Sequence, residues 1–485
     1  MRKSVSTGAL VSAIALCSMG QAQVQMQSNA VPQQANAMPQ QALNSIGHKQ
    51  TAGSVTPIPL AGLKAERMTT AEGKPGWRVR LPGNHPLATP AVVDGMVFIG
   101  GGFGSYEFYA FDARTGEARW AIKVSDDGPT AAVVAEGVVA FNTESCTLFV
   151  VDAKSGRMLW SKWLGDPLMS QPAIADGKVF MAFPDNRGQH QLVALGLKDG
   201  VEQWRAPIAG DIISAPIVDG RGLYLATLDG TVYRYNLSNG ALVWQKPFLA
   251  TSAPWIYKEQ IFVSKREPGQ AARPVEGVAR MEVAGGKQNQ EGGSWRKRAA
   301  QWLDADVQGR SRYAGAQKSN DSAVGFSTAP STAKLGQAAG NIGQSTVQGA
   351  WEYQGSRPCV ANGRLFLTQG DQVVAMDPDS GKEIWSKDLS GVLKEVGGHL
   401  GAPPSPAGDK LYVATVDGTV LVLAQQNGKV VDTIAVKSAM RFQPAVQDGR
   451  LVAGTVDGQL ISVQLDDAAA TGWAMWGGSP AHNGG

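Results

Sequence analysis

The chain predicts an all-β fold, an eight-bladed β-propeller of four-stranded antiparallel blades. Three observations lead there. Glycine is followed four residues later by tryptophan at Gly116/Trp120, Gly156/Trp160, Gly200/Trp204, Gly240/Trp244 and Gly381/Trp385. Most of these pairs recur at roughly 40-residue intervals, the period of a propeller blade. Short β-branched and aromatic runs alternate with Asp-Gly and Thr-Gly turn signals, and no helical period competes over any long window.

The first repeat shows the pattern in full. Thr89 to Gly95 reads as a strand and turn, Met96 to Ile99 as a second strand, Phe108 to Asp112 as a third and Glu117 to Trp120 as a fourth. Glycines at 116, 156, 200, 240, 381 and 428 fit tight turns that need positive φ. Asp112, Asp152, Asn236 and Asp377 stand four residues earlier, where a short side chain can accept turn N–H groups. The tryptophans then fall on outermost strands, facing the next blade. A Pro-containing first strand recurs at Pro90, Pro172, Pro216, Pro254, Pro358, Pro403 and Pro444, with a degenerate copy at Pro129 to Gly137, which makes eight blades. Trp77 to Leu81 is an outer strand with no blade before it, so it can complete the last blade; Gly472 to Trp476 is a rival for that place.

Residues 1–22 read as a secretory signal. Arg2 and Lys3 precede the apolar run Ala9 to Leu16, which is too short to span a bilayer, and Gly20-Gln21-Ala22 is a small-x-small cleavage site. Cys17 follows Leu16 rather than a small residue, so ordinary cleavage is expected over lipidation. Residues 23–72, rich in Gln, Ala, Pro, Ser and Met, read as a disordered tether, and 73–485 as the propeller. Without Arg2 and Lys3, 44 Lys+Arg become 42 against 41 Asp+Glu, a balance that argues against general nucleic-acid or membrane-surface binding. The expectation is an exported periplasmic or cell-envelope protein, monomeric, with no transmembrane span. Cys146 and Cys359 fall in blades two and six, on opposite sides of the ring, so two buried thiols are expected rather than a bridge.

The period breaks once, in an insertion of about residues 285–350 between blades five and six. Ala279 to Val283 is expected to complete blade five. The insertion carries Trp295, Arg296, Lys297, Arg298, Trp302, Arg310, Arg312 and Tyr313, a set suited to an acidic or aromatic protein surface. The competing reading is a short helix capping the channel, its tryptophans packed on blade five. His85, Asp166, Asp211, His399 and Arg441 each precede a first strand and are expected to ring the channel mouth on the same face. His85 and His399 share a local pattern that a paired-histidine metal or acid–base site could use, against the plainer reading of surface histidines.

Phrases such as Pro172-Ala173-Ile174-Ala175-Asp176-Gly177, Thr227-Leu228-Asp229-Gly230-Thr231-Val232-Tyr233 and Asp377-Pro378-Asp379-Ser380-Gly381-Lys382-Glu383-Ile384-Trp385 resemble the PQQ-type β-propeller repeat. The resemblance covers about residues 77–465 apart from the insertion. One branch of that family, the pyrroloquinoline quinone dehydrogenases, implies a quinone with Ca²⁺ at the channel, an adjacent-cysteine disulfide and a catalytic aspartate. This chain has no Cys-Cys pair and no Cys-x-x-Cys-His, so no catalytic residue transfers. The other branch, the BamB-like propellers of the outer-membrane assembly machinery, implies a non-enzymatic envelope scaffold. The expectation is therefore a non-catalytic propeller that binds an envelope protein or polymer through its insertion-bearing face, with no cofactor. The alternative is an alcohol or sugar dehydrogenase using the quinone and Ca²⁺. Glycan binding through Trp295, Trp302 and Tyr313 is a third reading.

Overall fold

Each repeat folds as expected, because each buries one set of alternating apolar residues against its neighbours. The computed structural model describes residues 53–484 except 145, 166–169, 186–187, 268–274, 289–297, 300–337, 339, 345–346 and 394–397. The signal and the first part of the tether lie outside the described residues. Eight antiparallel sheets form, with strands in sequence order from the inside of each blade outward except where N-terminal strands are added to the outside of blades one and eight. Blade one comprises Ala91–Val93, Met96–Gly100, Glu107–Asp112 and Ala118–Val124. The short first strands, such as Ala91–Val93, Val133–Ala135 and Ala173–Ala175, neighbour one another around the centre.

The ring closes from the N-terminal side. Strand β3 (Pro75–Arg80) pairs with Gln459–Gln464, the last strand of the C-terminal blade, with Trp77 opposite Ser462. The tether ends earlier than residue 72. Strand β1 (Val55–Pro57) adds a fifth strand to blade one, with Val55 opposite Val124, and β2 (Glu66–Thr69) adds a fifth to blade eight beside β3. Composition missed this because an added edge strand needs backbone groups more than an apolar face.

The Gly–Trp pairs work across blades. The indole of one blade lies on the turn glycine of the next, and its Nε1–H donates to the carbonyl three residues before that glycine. Trp120 donates to Ala153 O at 2.9 Å, Trp160 to Leu197 O at 2.9 Å, Trp204 to Leu237 O at 3.1 Å and Trp385 to Gln425 O at 2.9 Å. Trp77 closes the ring in the same way on Ala113 O at 2.9 Å. Trp244 reaches Val283 O at 2.9 Å, over Gly286, a turn glycine the five pairs did not reveal. Gly156 requires glycine twice over: its φ is +69°, and a Cβ there would lie 2.8 Å from Trp120 Cδ2. Asp112, Asp152, Asn236 and Asp377 each accept N–H groups inside these turns.

At two of the eight junctions the described residues show no such indole. Between blades five and six, Arg280 Nη1 donates to the carbonyls of Pro378 and Asp379. Between blades seven and eight, Asp432 occupies the Trp position and pairs with the buried Lys74 at 3.0 Å, which also binds Asp466. Cys146 and Cys359 are both buried and neither is in a disulfide.

Replacing Trp120 by Ala removes an indole only 6% exposed and is expected to destabilise the ring by about 3–5 kcal/mol, read as a lowered urea midpoint. Gly156→Ala should destabilise it too, through strain and displacement of the indole. A loss below about 1 kcal/mol for Trp120→Ala would show that the indole does not hold the junction.

Candidate functional site

The chain closes the central channel from both ends, and two of the functional candidates, His399 and Arg441, lie together beside one closure. The insertion begins later than residue 285. Blade five turns at Val283 to Gly286, and its fourth strand is Arg298–Ala299, paired with Val275 and Glu276. Val275–Glu282 is its third strand, so Ala279 to Val283 does not complete the blade. Arg298 therefore belongs to the sheet. Trp295, Arg296, Lys297, Trp302, Arg310, Arg312 and Tyr313 lie outside the described residues.

The end of the insertion forms the upper closure. Helix α1 (Val347–Glu352) is short and carries Gly349 and Ala350, small residues that let it sit close to the ring. Its end is pinned where Tyr353 OH donates to Thr251 O at 2.8 Å, on the connection into blade five. Gly355 follows with φ +62° and redirects the chain into blade six. Trp351 is the lid. It meets Phe103 of blade one at 5.7 Å and the edge of Phe442, on the connection into blade eight, at 5.2 Å. Asn341, upstream, is tied by Arg266 to its carbonyl at 2.8 Å and by its own amide to Ala250 O at 2.9 Å.

The lower closure is the C-terminal segment from Trp473 to Gly484. Gly472 to Trp476 does not supply an outer strand; it turns inward. First strands present unpaired N–H groups to the channel, and a buried donor needs an acceptor. The segment supplies acceptors to Val92 (Ala474 O, 2.7 Å), Ile174 (Pro480 O, 2.9 Å), Val218 (Ala481 O, 3.0 Å), Ile256 (Asn483 Oδ1, 2.7 Å) and Val446 (Trp473 O, 2.7 Å). Those residues lie in blades one, three, four, five and eight. Arg357 of blade six donates to His482 O and lies 4.5 Å from the Trp476 ring and 5.2 Å from that of Trp255. Trp473 stacks on Trp255 at 5.7 Å. Gly477 permits the fold-back, since a Cβ there would lie 2.7 Å from His482 Cα. Sequence carried a signal for this plug: Trp473 and Trp476 stand off the blade period, beside Gly477-Gly478.

The expected channel-mouth residues separate. His85 is half-buried; burial lowers its pKa, opposed by Glu107 and Asp127. Asp211 is buried, with its carboxylate 3.5 Å from His190 Nδ1. Asp166 lies outside the described residues. His399 and Arg441 come together beside α1, at a half-open cleft also lined by Glu352, Tyr353 and Gln354. Arg441 Nε is 3.7 Å from Glu352 Oε2. Burial lowers the His399 pKa; Glu276 opposes this, and Arg266 and Arg441 reinforce it. His85 does not line the cleft that holds His399. Among the described residues no cluster of three or more His, Cys, Asp or Glu could hold a metal ion.

His482 is wholly buried, with Nδ1 2.9 Å from Trp476 O and Nε2 2.7 Å from Pro172 O. Burial pushes its pKa down to about 4 against the pull of those two carbonyls. Below about pH 6.5 the unfolded chain takes up a proton that the folded plug refuses. This share of stability is therefore complete above about pH 6.5 and is lost as pH falls towards 4, roughly 2 kcal/mol by pH 5. Urea titrations at pH 7 and 5 should show a smaller acid loss in His482→Gln than in the parent; equal losses would contradict the neutral, buried imidazole.

Comparison with known proteins agrees with this architecture. In Nitrosomonas eutropha, an outer membrane protein assembly factor BamB is 25% identical over 220 residues, covering 41% of this chain and 51% of that protein. The quinoprotein alcohol dehydrogenase PedH of Pseudomonas putida is 24% identical over 200 residues, covering 39% of this chain and 28% of that protein. The chain thus spans about half the length, or less, of these curated relatives. The crystal structure of BamB from Moraxella catarrhalis superposes with a TM-score of 0.51 at 15% identity, over 83% of this chain and all of that one, which shows a shared fold. The family model described as outer membrane protein assembly factor BamB matches residues 65–187, 107–254, 147–291 and 321–471. With most of its repeats matched by that model, the chain belongs to the BamB family of β-propellers.

Proposed function

We propose that this protein is a non-catalytic scaffold of the cell envelope that docks a protein partner on its insertion-bearing face, in the assembly of outer-membrane proteins that its relatives' names describe. The observation that carries this reading is the filled channel. Trp351, Phe103 and Phe442 close it above, and Trp473, Trp476 and His482 fill it below. What remains for a partner is surface. Eight tightly joined blades make that surface rigid, so loops presented on it lose little entropy on binding.

The dehydrogenase reading has support in the likeness to PedH, and it requires a quinone with Ca²⁺ at the channel. The residues present do not fit that group. Its place is taken by the indoles of the lid and plug, and no adjacent cysteines stand ready to clamp a ring. No step through it is derived. No helix among the described residues is long and apolar enough to cross a membrane.

Two experiments test the proposal. A photocrosslinker at position 298 in living cells should capture an outer-membrane assembly component, whereas one at Glu136, in the first hairpin of blade two, should not. With the crosslinker kept at 298, substituting Arg296 and Lys297 by Ala should reduce capture while leaving the melting temperature of the ring within a few degrees. Equal capture from both positions sinks the docking face. Separately, purified protein given the quinone and Ca²⁺ should reduce no dye over a panel of alcohols and aldoses; turnover would favour the dehydrogenase.

A further inference from the structure

The cleft beside α1 has buried polar atoms on Gln354 and His399 with no hydrogen-bond partner. It opens on the upper rim, between the residues that follow α1 and the connections into blades seven and eight. Gln354, only 6% exposed, accepts the Gln443 N–H at 3.0 Å and leaves its own Nε2 without a partner. The enclosed Nδ1 of His399 also has none. The Arg441 guanidinium lines the same space. The carboxylate already there, Glu352, is engaged through both oxygens: one accepts Gln348 Nε2 at 2.8 Å, and the other faces Arg441. Sealing an amide donor away from water without an acceptor is costly, so the leftover Gln354 Nε2 marks a missing acceptor. The cleft is small and half-open, with room for the head of a carboxylate beside these groups.

We propose that this cleft is a carboxylate-binding site. Gln354 Nε2, the His399 ring and the Arg441 guanidinium receive one –COO⁻ group, either the side chain of an Asp or Glu on a protein partner or a small free carboxylic acid. Charge-assisted bonds from a planar guanidinium and an amide suit this anion in geometry and strength. Glu352 sets the selectivity. It repels a doubly charged anion, while a single carboxylate shares the guanidinium with it. The site stands whether or not the rim docks a protein.

The test uses the full chain labelled at histidine with ¹⁵N, and His399→Gln identifies the resonance. Acetate and the peptide acetyl-Gly-Asp-Gly-amide are titrated in parallel, with acetamide as the uncharged control. The His399 signal should move saturably with acetate and with the peptide, and not with acetamide. Gln354→Leu should weaken acetate binding about tenfold. Tighter binding of the peptide assigns the site to a partner's side chain, and tighter binding of acetate assigns it to a free acid. Saturation by neither, an equal response to acetamide, or unchanged affinity in a folded Gln354→Leu overturns the proposal. Should that variant not fold, Gln354→Glu places a carboxylate in the cleft itself and must abolish the acetate response; a retained response overturns the proposal equally.

Discussion

The ring rests on one repeated contact, an indole laid flat on the turn glycine of the next blade with its N–H on a neighbouring carbonyl. The two halves of the contact depend on each other. A side chain at the glycine would displace the indole, and without the N–H bond the ring would bury a lone donor. An indole removes roughly 150–250 Å² from water, about 4–6 kcal/mol of apolar transfer at the usual coefficient. Six such contacts among eight junctions make the ring stiff. The two exceptions use charge, at Arg280 and at Asp432 with Lys74. One of them lies at the blade that carries the insertion, where the described part of the fourth strand is Arg298–Ala299.

A ring of blades leaves a hole, and the first strands leave unpaired N–H groups around it. The C-terminal segment answers both. It crosses the hole and offers acceptors to five blades, while Arg357 binds it from a sixth. Above it, the return of the insertion sets Trp351 between Phe103 and Phe442. The C-terminal segment, read as a rival outer strand, and the end of the insertion, read as a partner surface or a channel cap, thus supply internal packing. Two polar atoms without a hydrogen-bond partner, Gln354 Nε2 and His399 Nδ1, lie at the rim in the cleft that Arg441 also lines.

The fold was legible because its signals are local and repeated. A turn needing positive φ selects glycine, its cap selects Asp or Asn, and an outer strand joined to a neighbour selects Trp. The candidate site was legible only in part. His399 and Arg441 were placed on the right face by their position before a first strand, yet their partners Glu352 and Gln354 come from the return of the insertion, which follows no period. His85 was matched to His399 by local wording, but wording does not set distance across a ring. Arg298 looked like a free basic residue because the end of blade five carries no Gly–Trp mark at the expected spacing. The strands at Val55–Pro57 and Glu66–Thr69 were hidden for another reason: edge pairing runs through backbone atoms that every residue shares.

The amino-acid order alone determined the blade and the number of blades, since each follows from short-range chemistry repeated along the chain; it left Trp77 to Leu81 and Gly472 to Trp476 as rivals for the closure, which the pairing of Pro75–Arg80 with Gln459–Gln464 decided. Tertiary structure decided what fills the centre. Whether a segment caps, plugs or dangles depends on where its ends emerge and which unpaired groups it meets there, and these are properties of the closed ring rather than of any stretch of residues.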